Sequence, residues 1–137
     1  MQYPATFTPD DIGFVVTFRD VPEAITQGDT EAEALDMARD ALMSSMDFYF
    51  ENKRPVPLPS AALQGERLIP LPLSVASKVL LLNEMLAKEV GPSELAQRMN
   101  ALPQDVDRII DLHQAAEIDT IEQAMAALGK RLELLVA

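Results

Sequence analysis

The stretch Gly91–His113, GPSELAQRMNALPQDVDRIIDLH, restricts the possible folds more than any other part of the chain. Ser93 can cap a first helix, in which Leu95, Ala96 and Met99 make an apolar stripe at helical spacing. Asn100 tolerates a left-handed conformation and can stop that helix. Pro103 suits the first turn of a second helix, where its missing N–H costs nothing. Val106, Ile109 and Ile110 then supply the buried face. Two short helices, a connection of about three to four residues and a small alanine at the crossing describe a helix-turn-helix unit.

The chain before this unit changes character. Gln2–Thr8 alternates, with Tyr3, Ala5 and Phe7 on one face, and Gly13–Arg19 repeats the pattern with Phe14, Val16 and Phe18. Pro9-Asp10-Asp11 is turn chemistry, so the two strands make an antiparallel hairpin. A short third strand fits Ala24–Gln27. Asp29–Glu51 is the clearest helix: Thr30 and Glu33 fit a capping box, and Leu35, Ala38, Leu42, Met46 and Tyr49 recur at spacings that pack one face on a sheet. Asn52 and Lys53 close it. Pro55, Pro57 and Pro59 force an extended crossover. Glu66–Leu73 returns as a strand, and Pro70 and Pro72 place it at a sheet edge, where another chain could add.

From Ser74 the pattern is helical. Val75, Val79, Leu82, Leu86 and Val90 form a stripe that Leu80, Leu81 and Met85 widen, an apolar surplus suited to a second copy of the chain. After the helix-turn-helix, Asp119 and Glu122 fit another capping pattern, and a helix through Ile121, Ala124, Met125 and Leu128 stops at Gly129. Residues 130–137 alternate at Leu132, Leu134 and Val136. A lone terminal strand is unstable, so this one is expected to pair across a dimer. The chain is thus α+β: residues 1–72 a β-β-β-α-β unit, residues 73–137 an all-α unit with a C-terminal strand.

Charge sets the first functional limit. The net charge is −11, and 48% of residues are hydrophobic. Up to Leu73 there are 5 basic and 12 acidic residues; the remainder has 6 and 10. Neither part attracts phosphate by bulk electrostatics. A basic protein partner, such as one that itself binds nucleic acid, suits this balance better. There is no cysteine, which excludes a disulfide framework and thiolate metal sites. No apolar run reaches the roughly 20 residues of a membrane span, so a cytoplasmic protein with no membrane partner is expected.

The order of several short motifs resembles a known family. Asp20-Val21-Pro22, Thr26-Gln27-Gly28-Asp29-Thr30 and Glu33-Ala34 follow one another as in the N-terminal domain of HicB antitoxins. DFYFENKRPVPLPS resembles that family's helix exit and proline strip. LPLSVASKVLLLNEML and SELAQRM resemble the subset whose C-terminal domain is a helix-turn-helix. The resemblance implies an antitoxin of a type II toxin-antitoxin module, with no enzymatic activity. Its N-terminal domain would be a partial RNase H-like fold that covers HicA, a small basic toxin that cleaves mRNA. Its C-terminal domain would dimerise, bind operator DNA and repress its own operon.

Candidate site residues follow from these readings. Asp10, Asp11, Asp20, Glu23, Asp29 and Glu31 sit in loops around the strand ends, and some are expected to meet the basic toxin; a solvated face would use the same residues. A metal-dependent nuclease needs carboxylates converging on metal ions. Asp10 and Asp11 lie in a turn and no strand centre carries a carboxylate, so no catalytic residue, metal site or cofactor is expected. In the helix-turn-helix, Ser93, Gln97 and Arg98 on the first helix face DNA, with Gln104, Asp105 and Arg108 on the second. Gln104 suits adenine; Arg108 suits guanine or phosphate. Asp105, Asp107 and Asp111 would repel phosphate unless they accept from cytosine or pair with Arg108. Lys78, Lys88, Lys130 and Arg131 are candidate phosphate contacts at the rim. His113, the sole histidine, fits a helix-end role or a phosphate or base contact. The three aspartates leave a second reading open, in which the helix-turn-helix serves dimerisation without DNA binding.

Overall fold

A computed structural model describes all residues, Met1–Ala137. The chain forms two compact units: residues 1–52 with 56–72, and residues 73–137 with 53–55.

In the first unit, β1 (Gln2–Pro9), β2 (Phe14–Phe18) and β3 (Ile25–Gly28) make an antiparallel meander, and β4 (Arg67–Pro70) pairs on the far side of β1. The order β3-β2-β1-β4 leaves β3 and β4 as edges. β4 is shorter than the expected Glu66–Leu73, and its place at an edge is the one that Pro70 and Pro72 allow. β3 begins one residue later than expected.

The single helix α1 (Glu31–Glu51) packs on one face of this sheet. Thr30 Oγ1 accepts from the Glu33 N–H at 3.1 Å, and Asn52 Nδ2 donates to Phe48 O at 2.7 Å. The buried stripe is Ala34, Ala38, Leu42, Met46 and Tyr49, with Leu35 only half-buried. Ala34 takes the buried place expected of Leu35, and the first turn lies so close to β3 that a Cβ on Gly28 would stand 2.4 Å from the Ala34 nitrogen. The stripe meets Tyr3, Ala5, Val16, Phe18 and Ile69, all buried on the same sheet face. Leu42 and Met46 are each worth roughly 1.5–3 kcal/mol of transfer free energy there.

The proline-rich crossover to β4 is stapled to this unit. Tyr3 Oη donates to Pro57 O at 2.7 Å. The Ser60 N–H and hydroxyl donate to Asp20 at 2.8 and 2.6 Å. Arg19 donates to Glu66 at 2.9 and 3.1 Å and to Ala61 O at 2.6 Å.

The second unit holds α2 (Leu73–Ala87), α3 (Pro92–Met99), α4 (Pro103–Ile109) and α5 (Ile118–Ala127). Leu81, Met85, Leu95, Ala96, Val106, Ile109, Ile121, Ala124, Met125 and Leu128 share one core. Val75, Ala76, Val79 and Leu82 are buried as well, so the apolar surplus of α2 does not by itself call for a second copy. Asn100 ends α3 in the left-handed region (φ 53°, ψ 44°), and Pro103 opens α4 after a connection of three residues.

Two caps differ from expectation. Gly91, not Ser93, is the N-cap of α3, because Pro92 takes the first helical position and Ser93 falls inside the helix. α5 begins after Glu117 with no side-chain cap bond, so Asp119 lies within the helix. Residues 130–137 form no strand: no edge in the second unit accepts them, and Leu134, Leu135 and Val136 are 79%, 90% and 97% exposed.

Candidate functional site

The first unit carries 12 carboxylates against 3 arginines, a net of −9, since Lys53 and Arg54 fall with the other unit. All three arginines are already paired: Arg19 with Glu66, Arg39 with Asp36 at 3.2 Å, and Arg67 with Glu31 at 2.6 Å. Arg67 also lies 4.9 Å from the Phe7 ring centroid. A basic partner therefore meets a surface whose negative charge is not neutralised from within.

The six expected partner-facing carboxylates do not form one cluster. Asp10, Asp11, Asp29 and Glu31 lie where β1 and β3 end; Asp20 and Glu23 lie at the opposite end of β2. The five residues of β2 separate these groups by about 13 Å. Four of the six have work inside the unit. Asp10 Oδ1 accepts from the Ile12 and Gly13 N–H groups at 3.0 and 2.8 Å and so shapes the β1–β2 turn. Asp20 holds Ser60, Glu23 accepts from Tyr49 Oη at 2.5 Å, and Glu31 holds Arg67. Asp11 and Asp29 are exposed and carry none of these contacts. Their two turns are locked together, because a Cβ on Gly13 would lie 2.1 Å from Gly28 O and 2.8 Å from Asp29 Cα.

The protonation of this network follows its contacts. Burial pushes the Asp20 carboxyl up, but the Ser60 hydroxyl and N–H and the Arg19 charge outweigh it, leaving it below the usual carboxylate value. The Arg19 hydrogen bond, the Leu63 N–H and the Arg19 charge lower Glu66. Burial, with the Asp20 charge, raises the Tyr3 phenol to about 12.

In the second unit, Ser93, Gln97, Arg98, Gln104 and Arg108 are all exposed. Arg98 is tied to Glu94 at 3.1 Å. Asp105 is half-buried, and its carboxylate accepts from the Leu102 N–H at 3.2 Å, closing the start of α4. Asp111 is likewise engaged. It accepts from the His113 N–H at 2.9 Å and from Gln114 Nε2 at 3.0 Å, and the His113 bond is the largest influence lowering its pKa. Only Asp107 of the three is exposed. His113 thus enters the turn after α4 through its backbone, with its ring exposed. A groove of about 590 Å³ runs beside α4, lined by Asp105, Arg108, Ala116, Glu117, Thr120 and Gln123.

Two of the four expected rim cations are engaged by backbone carbonyls. Lys78 is buried, and its ammonium donates to the Arg108, Asp111 and Gln114 carbonyls, the last two at 2.5 Å. Burial lowers its pKa, opposed by the Asp111 charge. Lys88 Nζ donates to Leu128 O. Both lysines neutralise carbonyls at helix ends, where a cation is favoured. A count of charges along the chain does not reveal this; the apolar neighbours Ala76 and Val79 of Lys78 carry the signal. Lys130 and Arg131 are exposed, Arg131 lying 3.4 Å from Glu133.

Known proteins are similar in sequence to this chain over nearly its whole length. Residues 2–80 match the family described as HicB_like antitoxin of bacterial toxin-antitoxin system. Antitoxin HicB of Escherichia coli strain K12 is 48% identical over 137 residues, 99% of either chain. Antitoxin HicB 2 of Photorhabdus laumondii is 49% identical over 135 residues, 98% of this chain and 96% of that one. Antitoxin HicB of Pseudomonas fluorescens is 36% identical over 118 residues, 85% and 81% of the two chains. The chain belongs to the HicB-like antitoxin family.

Proposed function

We propose that this chain is the antitoxin of a type II module: it binds and neutralises a HicA-type mRNA endoribonuclease in the cytoplasm, and represses its own operon by binding operator DNA as a dimer. The first half of this reading is carried by one observation: the first unit holds a net charge of −9, and each of its arginines is already paired. A basic RNA-cleaving protein is drawn to such a surface, and contact there competes with RNA for the same cationic groups. The order β-β-β-α-β supports reading this unit as the partial RNase H-like domain of the family. No chemistry of its own is needed for neutralisation, and the split of the carboxylates between two ends of the sheet argues against a converging metal-dependent nuclease site.

The DNA-binding half rests on α3 and α4 as a helix-turn-helix with Ser93, Gln97, Arg98, Gln104 and Arg108 on its outer surface. Asp105 and Asp111 are held in internal bonds, so the reading helix presents less free negative charge than its composition suggests. Exposed Leu134, Leu135 and Val136 support dimerisation, in which a second copy would cover this apolar tail. A second reading, dimerisation without DNA binding, is favoured by the burial of Lys78 and by the bond of Lys88 to the Leu128 carbonyl, which engage two of the candidate phosphate contacts within the unit. Co-purification with the cognate HicA-type toxin tests the first half. A mobility-shift titration on the upstream region at low salt tests the second: retardation by micromolar dimer supports the repressor, and none supports the interaction-only reading.

A further inference from the structure

The sheet of the first unit has a helix on one face only. On the other face the registers align Thr6 with Thr17 and Thr17 with Ile25, a row across β1, β2 and β3. The next row is Thr8, Val15 and Gln27. Thr6, Thr8, Thr17 and Gln27 are exposed, Ile25 is 64% exposed, and Leu68 on β4 is 45% exposed. None of these residues is charged, whereas the exposed carboxylates Asp11 and Asp29 stand at one end of the face; at the other end Asp20 and Glu23 are held by Ser60 and Tyr49. Ile12, 73% exposed, extends the apolar surface past the first of these ends.

We propose that this open face, centred on Thr6, Thr17 and Ile25, is the surface on which the basic toxin docks, through a helix with a small or apolar stripe and lysines or arginines toward the Asp11 and Asp29 end. The inference rests on the antitoxin reading and assigns it a place. Three strands spaced ~4.8 Å apart are about as wide as one α-helix, ~10 Å. A sheet face buries itself by accepting a second layer, and a helix is the element that fits a flat, short row of side chains. The charge on the page selects the occupant. A second copy of the first unit would bring another −9 against the same carboxylates, whereas a cationic partner pairs with them. The threonines suit this role, because they leave a soluble surface in the free chain and bury their methyl groups in the complex.

The test uses the full chain and a catalytically inactive variant of a cognate HicA-type toxin, with binding read by titration calorimetry. Thr17→Lys and Ile25→Lys each place a cation at the centre of the face, and Met37→Lys, on the exposed side of α1, is the control. The expected result is a Kd at least thirtyfold weaker for each face variant and within threefold of wild type for the control. Thr6→Lys repeats the test from β1, and a melting curve for each variant confirms that the exposed substitution leaves the fold intact. Face variants that bind within threefold of wild type overturn the assignment and leave the antitoxin reading standing, with Met37→Lys showing whether the helical layer is used instead. Wild-type chain that does not bind the toxin overturns the antitoxin reading itself, and this assignment with it.

Discussion

The Asp105 carboxylate closes back on the Leu102 N–H at 3.2 Å, so a side chain that the sequence alone suggests as a DNA contact serves the start of its own helix. α4 has only seven residues, opens on Leu102, which has no polar side chain, and depends on this bond for its first turn. Asp105→Ala is expected to lower the unfolding free energy by about 1 kcal/mol, the usual cost of losing an N-terminal capping bond, whereas exposed Asp107→Ala stays within about 0.5 kcal/mol. Urea denaturation of the two variants makes the comparison.

Lys78 does the same service at the other end of α4. Its ammonium, on a buried side chain, donates to the Arg108, Asp111 and Gln114 carbonyls. Lys78→Met keeps the apolar stem and leaves the carbonyls without their donor, at a cost of about 1–3 kcal/mol. Lys130→Met, on an exposed lysine, costs under about 0.5 kcal/mol. Thermal unfolding distinguishes them, and hydrogen exchange in Lys78→Met is expected to quicken first at residues 109–116.

Gly13 and Gly28 are places where the chain passes too close to itself for any side chain. A Cβ on Gly28 would meet the Ala34 nitrogen at 2.4 Å, and one on Gly13 would meet Gly28 O at 2.1 Å. Gly28→Ala is expected to destabilise by about 1–3 kcal/mol, the range of core overpacking, because the obstructing atoms are backbone. Gly65→Ala, with open space around it, meets no such clash and loses only what its positive φ costs. Denaturation midpoints of the two variants check the contrast.

The crossover staple predicts an acid sensitivity. Asp20 and Glu66 both have carboxyl pKa values below their ordinary ones in the folded chain. The folded state therefore binds fewer protons than the unfolded state near pH 4, and stability rises with pH there. The contribution is fully present above the ordinary carboxylate pKa and is lost as pH falls through the lowered folded values. The melting temperature of wild type should fall on acidification from about pH 5 to pH 3, and Asp20→Asn should fall less steeply over that window.

Much of this fold was legible because local patterns and tertiary packing agree. Alternation placed Tyr3, Ala5, Val16 and Phe18 on the helix-covered face, and Asn100 and Pro103 marked the α3–α4 connection. The departures have physical causes. Ser93 has the chemistry of a cap, but Pro92 claims the first helical position one residue earlier. The terminal residues 130–137 alternate as a strand does, yet a strand needs a partner edge that the second unit lacks. The site residues were harder to read because a charged side chain does not reveal whether it faces water or its own backbone. Asp10, Asp20, Asp105 and Lys78 all face backbone groups.

The most direct test of the central claim is an RNA cleavage assay with purified HicA-type toxin, titrated with the full chain. The account predicts that cleavage falls with added chain and stops near a one-to-one ratio of toxin to antitoxin chain. It also predicts that the inhibition weakens as salt screens the attraction between the basic toxin and the carboxylate-rich first unit. Cleavage that continues unchanged in a tenfold excess of folded chain, at low salt, would contradict it.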